Sequence, residues 1–305
     1  MSGVMQRTLS ILERLATDVQ GVGLATLAAE LDVPRSAAHR LLIELAGQGY
    51  VRQSRERGDY MLTTKIVSLG LKYLKGSGVV DLCQPILDRL AESSGELVRL
   101  GVVDVDHITW VALSQGARAG LRYDPDMGLD ARLSCTSSGH AWLATLSDED
   151  ALALVAQEGY GAPCRYGPHA PTTPSALLKA LRLARQQGFA ITESTYVPGL
   201  SAIGAPIVPR GKGTVGVVTL SGPSVRLTDE KMRALAPDLV AAAADIAHAS
   251  GASPLFDRAF APAEPTQRPH PSSSSGRALR SFAAESADAE PSRRFTGEKP
   301  RGSAS

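Results

Sequence analysis

Residues 24–62 read LATLAAELDVPRSAAHRLLIELAGQGYVRQSRERGDYML. Their order is two short helices, a tight turn between them, and a β-hairpin with a basic tip. That is the plan of a winged helix-turn-helix, which lays its second helix in the major groove of DNA. The first of the two helices spans about Leu24 to Leu31 and buries Leu24, Leu27, Ala28 and Leu31. Asp32 and Val33 make the turn. Pro34 then stands at the first position of the next helix, where a fixed φ and a missing N–H are tolerated.

The helix from Pro34 to about Gln48 is the candidate reader. Ala38, Leu41, Leu42 and Leu45 fall at i, i+3, i+4 and i+7, one apolar stripe that must face the neighbouring helices. The opposite stripe holds Ser36, His39, Arg40 and Ile43, with Arg35 beside it at the helix start. Arginine, serine and histidine donate to base edges or phosphates from the first turns of a groove-bound helix. Arg35 and Ser36 are read as base contacts, Arg40 as a phosphate contact, and His39 as either. Gly49 suits the left-handed geometry that ends a helix.

Working outward, a helix over Val4–Thr17 spaces Val4, Leu9, Leu12, Leu15 and Ala16 at helical intervals, with Arg7, Glu13 and Arg14 toward solvent. Gly21 and Gly23 interrupt it. After the reader, Tyr50–Gln53 and Tyr60–Leu62 are strand-like around a turn with Arg55, Glu56, Arg57 and Gly58. Arg7 and the wing residues Arg55 and Arg57 complete the candidate DNA contacts. The whole chain carries a net charge of only +1. Residues 33–62 hold five arginines against three acidic residues, a local surplus of +2. That suits a small phosphate footprint and argues against non-specific coating of nucleic acid. A helix-turn-helix pattern also occurs in proteins that never touch DNA, so a vestigial motif beside a metabolite-sensing or enzymatic domain, or a protein-docking module, is the alternative.

A chain of 305 residues with 43% apolar residues supports two domains and a sizeable core. We expect a winged helix-turn-helix at 1–63, a linker helix at 64–79, a second domain at 80–251 and a disordered tail at 252–305. The linker helix, from Thr64 to Lys75, carries Ile66, Val67, Leu69, Leu71 and Leu74, some of which an isolated chain would leave bare. The second domain opens with a helix near Val80–Ser93. Strands are expected at Leu97–Val103 and His107–Leu113, joined by Asp104-Val105-Asp106, and again around Leu121. Helices follow at 137–145 and 148–157, the latter capped by Ser147, and one starts at Thr173-Pro174 and stops at Gly188. Ala202–Val208 and Val215–Ser221 read as an antiparallel pair under a last helix, Asp229–Ala249. The fold class is α+β, with helices beside an antiparallel sheet. From Ala252 onward the composition is too polar to offset its ordering entropy.

Several motifs invite chemistry and fail on context. GKGTVG at 211–216 has the letters of a dinucleotide fingerprint but precedes a strand, so it reads as a hairpin turn. Ser137, Ser138 and His140 lack a nucleophile elbow and an orienting carboxylate, which argues against catalysis. The six histidines and three cysteines (Cys83, Cys135 and Cys164) show no metal-ligand or disulfide spacing, as suits a reducing cytoplasm. No signal peptide or membrane-length apolar run is present, and no cofactor is called for. Thr136 or Ser137 would cap the helix near 138, whose N-terminus attracts carboxylates.

Beyond these readings, the chain resembles the IclR-type bacterial transcriptional regulators. The resemblance rests on LAAELDVPRSAAHRLLIEL at 27–45, GYVRQ, YMLT, LSCTSSGHAWLA at 133–144, YVPGLSAIGAP at 196–206 and VVTLSGP at 217–223, in the family's order. It implies a cytoplasmic regulator whose N-terminal domain binds double-stranded operator DNA. A C-terminal GAF-like domain would bind a small-molecule effector, with a carboxylic acid as the expected class. Homodimers or dimers of dimers are implied as well. Carried over position by position, the effector pocket comprises Thr192, Glu193, Ala202, Thr219 and Ser221, joined by Thr136, Ser137 and Cys135. The sequence departs from the family at Ala37, where threonine is common, at His140, where a lysine or arginine is usual, and at Ser194 and Thr195, which replace acidic residues.

Overall fold

The computed structural model describes residues 3–54, 58–124, 131–160 and 166–256. Arg55, Arg57, Cys164 and most of the expected tail lie outside the described residues.

The N-terminal part is built from α1 (Val4–Ala16), α2 (Leu24–Glu30), α3 (Arg35–Gly47), β1 (Val51–Gln53) and β2 (Tyr60–Leu62). Its core joins Ile11, Leu15, Val22, Leu27, Leu41, Leu42, Leu45, Val51 and Tyr60. In α1 Leu15 is buried and Leu12 packs partly against the core as expected, Ile11 joins them, and Ala16 is exposed. Val4 and Leu9 are 60% and 50% exposed. Arg14 is not solvated either. Its side chain is 14% exposed and its Nε contacts Glu30 Oε2 at 2.5 Å, tying α1 to α2. The turn before α3 takes Asp32 to a φ of 50°, a region Asp tolerates, while Val33 is buried and donates to the Ala28 carbonyl. Pro34 is the residue before the helix, not its first member, and its carbonyl accepts from Ala38 N–H at 2.9 Å. Gly49 adopts a φ of 74°, and its N–H and that of Tyr50 close the helix on Ala46 and Leu45. The hairpin pairs Val51 with Leu62 and Gln53 with Tyr60, and Val22 adds a bridge to Tyr60.

A helix α4 (Thr64–Ser77) follows, capped by the Thr63 side chain and ended at Gly78 with φ 66°. It runs two residues past the expected Lys75, with Gly76 inside it. Next come α5 (Val79–Ser94), β3 (Leu97–Asp104), β4 (His107–Gln115), α6 (Ser137–Leu143), α7 (Asp148–Glu158) and α8 (Pro174–Gln187). The chain closes with β5 (Ala190–Glu193), β6 (Leu200–Ile207), β7 (Gly216–Pro223) and α9 (Asp229–Ala249). The sheet is five-stranded in the order β4-β3-β7-β6-β5, antiparallel throughout. This is the α+β arrangement expected. No strand forms around Leu121, which is 60% exposed. The short strand β5 was not anticipated.

Strand alternation gives each face of the sheet its own core. Val98, Leu100, Val102, Ile203, Ala205, Ile207, Val218 and Leu220 pack with α5 and α9. Val103, Ile108, Trp110, Ala190 and Val217 pack with α6, α7 and α8. The ordered domain also extends past the expected start of the tail. Leu255 is buried and Phe256 is fully buried in the α5–α9 core, so Ala252 is not its end. GKGTVG is the hairpin between β6 and β7, where Val215 N–H bonds the Ile207 carbonyl at 3.0 Å.

Candidate functional site

The first site is the outer stripe of α3. Arg35, Ser36, His39 and Arg40 are all exposed, and Ile43 is 55% exposed. Behind them Ala38, Leu41, Leu42 and Leu45 are buried, so packing fixes which side of the helix faces outward. Each fully buried leucine of this core is worth about 2–5 kcal/mol against alanine, which holds the helix at a set angle to its neighbours. Arg7 is half-buried in α1.

The second site is the sheet face beneath α6. The register places Thr192 opposite Ala202, Ala202 opposite Ser221, and Ser221 opposite Leu97. One step along, Gly204 stands opposite Thr219 and Thr219 opposite Arg99. Directly opposed residues share a face, and residues two apart on a strand do too. Thr192, Ala202, Thr219 and Ser221 therefore sit on one surface. A side chain at Gly204 would bring its Cβ to 2.7 Å from the Ser137 carbonyl oxygen, so a glycine there lets α6 lie close to the sheet. Glu193 does not join them. It is exposed and alternates to the opposite face from Thr192.

The start of α6 is held by Thr136, whose hydroxyl accepts from Gly139 N–H at 3.0 Å and contacts Ser138 Oγ at 2.9 Å. The helix thus begins at Ser137, and Thr136 rather than Ser137 is its cap. Its hydroxyl is spent on the backbone. Cys135 is buried, and its carbonyl accepts from the Thr195 hydroxyl at 2.6 Å. Burial foremost, with Glu158 adding to it, pushes the Cys135 thiol up to about 12, so it stays protonated. His140 is buried with Nε2 at 2.9 Å from the Ser134 carbonyl, and burial holds its pKa below the ordinary value.

Four residues on this surface were not singled out in the sequence: Arg99, Trp110, Tyr123 and Tyr196. The Arg99 guanidinium lies 3.9 Å from the centre of the Trp110 ring and 5.8 Å from that of Tyr123. Its Nε is buried with no hydrogen-bond partner, and so is the Thr219 hydroxyl opposite it. Burial lowers the Arg99 pKa. Tyr196 stacks on Tyr166 at 5.8 Å, and burial first, with Tyr123 and Cys135, pushes its phenol up to about 12. One signal was available. An arginine interrupts the apolar run Leu97, Val98, Leu100, Val102 on a strand buried on both faces.

A shallow cleft of about 190 Å³ lies elsewhere, lined by Ala141, Thr145, Ala184, Arg185 and Phe189 among others, and none of the effector candidates borders it. Among the described residues no cluster of three or more His, Cys, Asp or Glu is placed to hold a metal. None of the described helices is long and apolar enough to cross a membrane.

A winged helix with an outward reading helix, followed by an α+β domain with a polar surface under a short helix, defines a two-part DNA-binding regulator. The model of the IclR helix-turn-helix domain matches residues 4–55, and that of the bacterial transcriptional regulator IclR C-terminal domain matches residues 71–248. The chain belongs to the IclR family of bacterial transcriptional regulators. It is 28% identical to the acetate operon repressor of Salmonella typhimurium over 248 residues, 81% of this chain and 89% of that protein. It is 25% identical to the transcriptional repressor AllR of Salmonella paratyphi A over 250 residues, 82% and 90% of the two chains. The crystal structure of an IclR family transcriptional regulator from Brucella abortus superposes with a TM-score of 0.66 at 22% identity, covering 82% of this chain and 93% of that one.

Proposed function

We propose that the chain is a cytoplasmic regulator that binds operator DNA through the outer stripe of α3 and senses a small carboxylic acid in its C-terminal domain. Residues 1–63 form the DNA-binding domain and 64–79 the linker helix. The effector domain starts at 80 and reaches at least Phe256. Arg35 and Ser36 read base edges, Arg40 and Arg7 meet phosphates, His39 does either, and Arg55 and Arg57 of the wing grip the flanks. The effector pocket is lined by Cys135, Thr136, Ser137, Thr192, Ala202, Thr219 and Ser221. No step of covalent chemistry is assigned to any of them.

The observation that carries this reading is the exposed Arg35–Ser36–His39–Arg40 stripe backed by a buried leucine face. A homodimer or dimer of dimers would present two such helices to successive major grooves, about 34 Å or a multiple of it apart. Effector binding changes DNA affinity only by as much as the acid prefers one arrangement of the domains over another.

A gel shift on the intergenic DNA upstream of the gene, with the parent chain and Arg35→Ala, tests the proposal. The parent retards the fragment, and its affinity falls linearly with salt on logarithmic axes. Arg35→Ala weakens it by about 1–3 kcal/mol if Arg35 reads a base. Equal retardation by parent and variant removes Arg35 from that role, and no retardation by the parent removes the DNA-binding reading.

A further inference from the structure

We propose that Arg99 anchors the carboxylate of the effector, with the Thr219 hydroxyl as the second donor, so that one charge fixes the acid against a wall of aromatic rings. The inference rests on the effector-binding reading above and names the group that recognises the ligand.

Arg99 and Thr219 are register partners on β3 and β7 and share the face beneath α6. Each carries a buried polar atom with no partner, Nε in one and Oγ1 in the other. A buried donor left unmade costs about 1–3 kcal/mol, more when charged, so two of them side by side mark a missing acceptor. The guanidinium face is taken up by Trp110 at 3.9 Å. Its remaining donors lie in the guanidinium plane, the geometry that meets a carboxylate with paired, charge-assisted hydrogen bonds. Among the described residues no carboxylate lies within ion-pair distance of it.

The surroundings suit an incoming anion. Tyr196 and Cys135 both stay protonated at neutral pH, so neither brings a negative charge to compete with the ligand. Tyr123, 5.8 Å from the guanidinium, and Tyr196 supply aromatic surface for the body of the acid. A bound carboxylate would also offset the desolvation that lowers the Arg99 pKa.

The test uses the full chain as parent, Arg99→Met and Thr219→Val, with melting temperature and titration read against benzoate, benzamide, acetate, pyruvate and inorganic phosphate. At least one carboxylate raises the parent's melting temperature, while benzamide and phosphate do not. Arg99→Met keeps the ligand-free melting temperature about where it was, because an unbranched apolar chain replaces a side chain whose buried Nε has no partner, and weakens the acid about tenfold or more. Thr219→Val weakens it by a smaller factor. The proposal is overturned if Arg99→Met binds the acid as the parent does, if its ligand-free fold is markedly less stable, if amide or phosphate matches the acids, or if no acid in the panel acts on the parent. Failure of the parent to retard DNA would instead sink the regulator reading and leave the acid-binding result standing.

Discussion

Arg226 and Glu96, 130 residues apart in sequence, meet as a two-point ion pair, Nε to Oε1 at 2.7 Å and Nη2 to Oε2 at 2.9 Å. The Glu96 side chain is 1% exposed, and Lys231 Nζ approaches its Oε1 at 3.5 Å. The pair clamps the entry to β3 onto the segment that leads into α9. A carboxylate taken out of water is costly unless it is paired, so removing Arg226 would strand Glu96 with Lys231 alone. Arg226→Met is expected to lower the unfolding free energy by about 2–3 kcal/mol, less than for a wholly buried pair because Arg226 still reaches solvent. Urea denaturation measures it. The double variant Glu96→Leu with Arg226→Met recovers most of the loss, since no charge then remains buried. Equal losses in the single and double variants would show that the pair's charge is not what matters.

Thr136 gives a second, smaller prediction. Its hydroxyl accepts from Gly139 N–H at 3.0 Å and donates to the Arg132 carbonyl at 2.5 Å, so it both caps α6 and ties it to the preceding loop. Thr136→Ala should cost about 1–2 kcal/mol, and Thr136→Ser much less because the oxygen is retained. Thermal melts of the two variants decide it, and indistinguishable midpoints would dismiss the cap.

What could be read in advance follows from the length of each pattern. The α3 stripe repeats over three turns and is backed by a proline and a glycine at its ends, so its buried and exposed faces were legible. The α1 face was read correctly at Leu12 and Leu15 and wrongly at Val4 and Leu9, which are apolar yet exposed, because periodicity alone does not say where along a helix the core contact begins. β5 has four residues and exists through its pairing with β6, which no local signal encodes. The expectation of a strand at Leu121 failed because GARAGLRY at 116–123 holds a single large apolar residue and pairs with none of the described strands. Leu255 and Phe256 vanish into the average of a polar segment, although Phe256 is among the largest fully buried side chains. The pocket hydroxyls came from family resemblance, whereas Arg99 escaped because a search for apolar periodicity passes over a lone cation. Glu193 was placed in the pocket without the strand alternation that turns it away.

The bare faces of α1 and α4 lead to a prediction about assembly. Val67, Leu69, Leu71 and Tyr73 are 56%, 47%, 62% and 66% exposed, and Met5 is 73% exposed. A surface of this kind is costly to leave in water, and a second copy of the chain is the proposed cover. Val67→Arg with Leu71→Arg should change the stability of the isolated fold by no more than about 0.5 kcal/mol per site, because neither side chain is in a core. Sedimentation of the variant should nevertheless show a smaller species than the parent. An unchanged sedimentation coefficient would place the assembly interface elsewhere.

His140 sets a pH dependence. Burial lowers its pKa below the ordinary 6.5, against a smaller opposing pull from the Ser134 carbonyl that accepts its Nε2–H. Below pH 6.5 the unfolded chain therefore takes up a proton that the folded chain refuses. The stability contributed by neutral His140 is complete above the unfolded pKa and falls away as the pH drops through it, continuing down to the folded pKa. The slope from this one group is at most about 1.4 kcal/mol per pH unit. Denaturation midpoints at pH 7.5 and about 5.5 should differ more for the parent than for His140→Gln, whose amide can still donate to the Ser134 carbonyl without titrating. Comparing the two differences cancels the carboxylates and the other histidines, which titrate alike in both proteins. Parallel pH profiles for parent and variant would mean that His140 carries the same charge folded and unfolded.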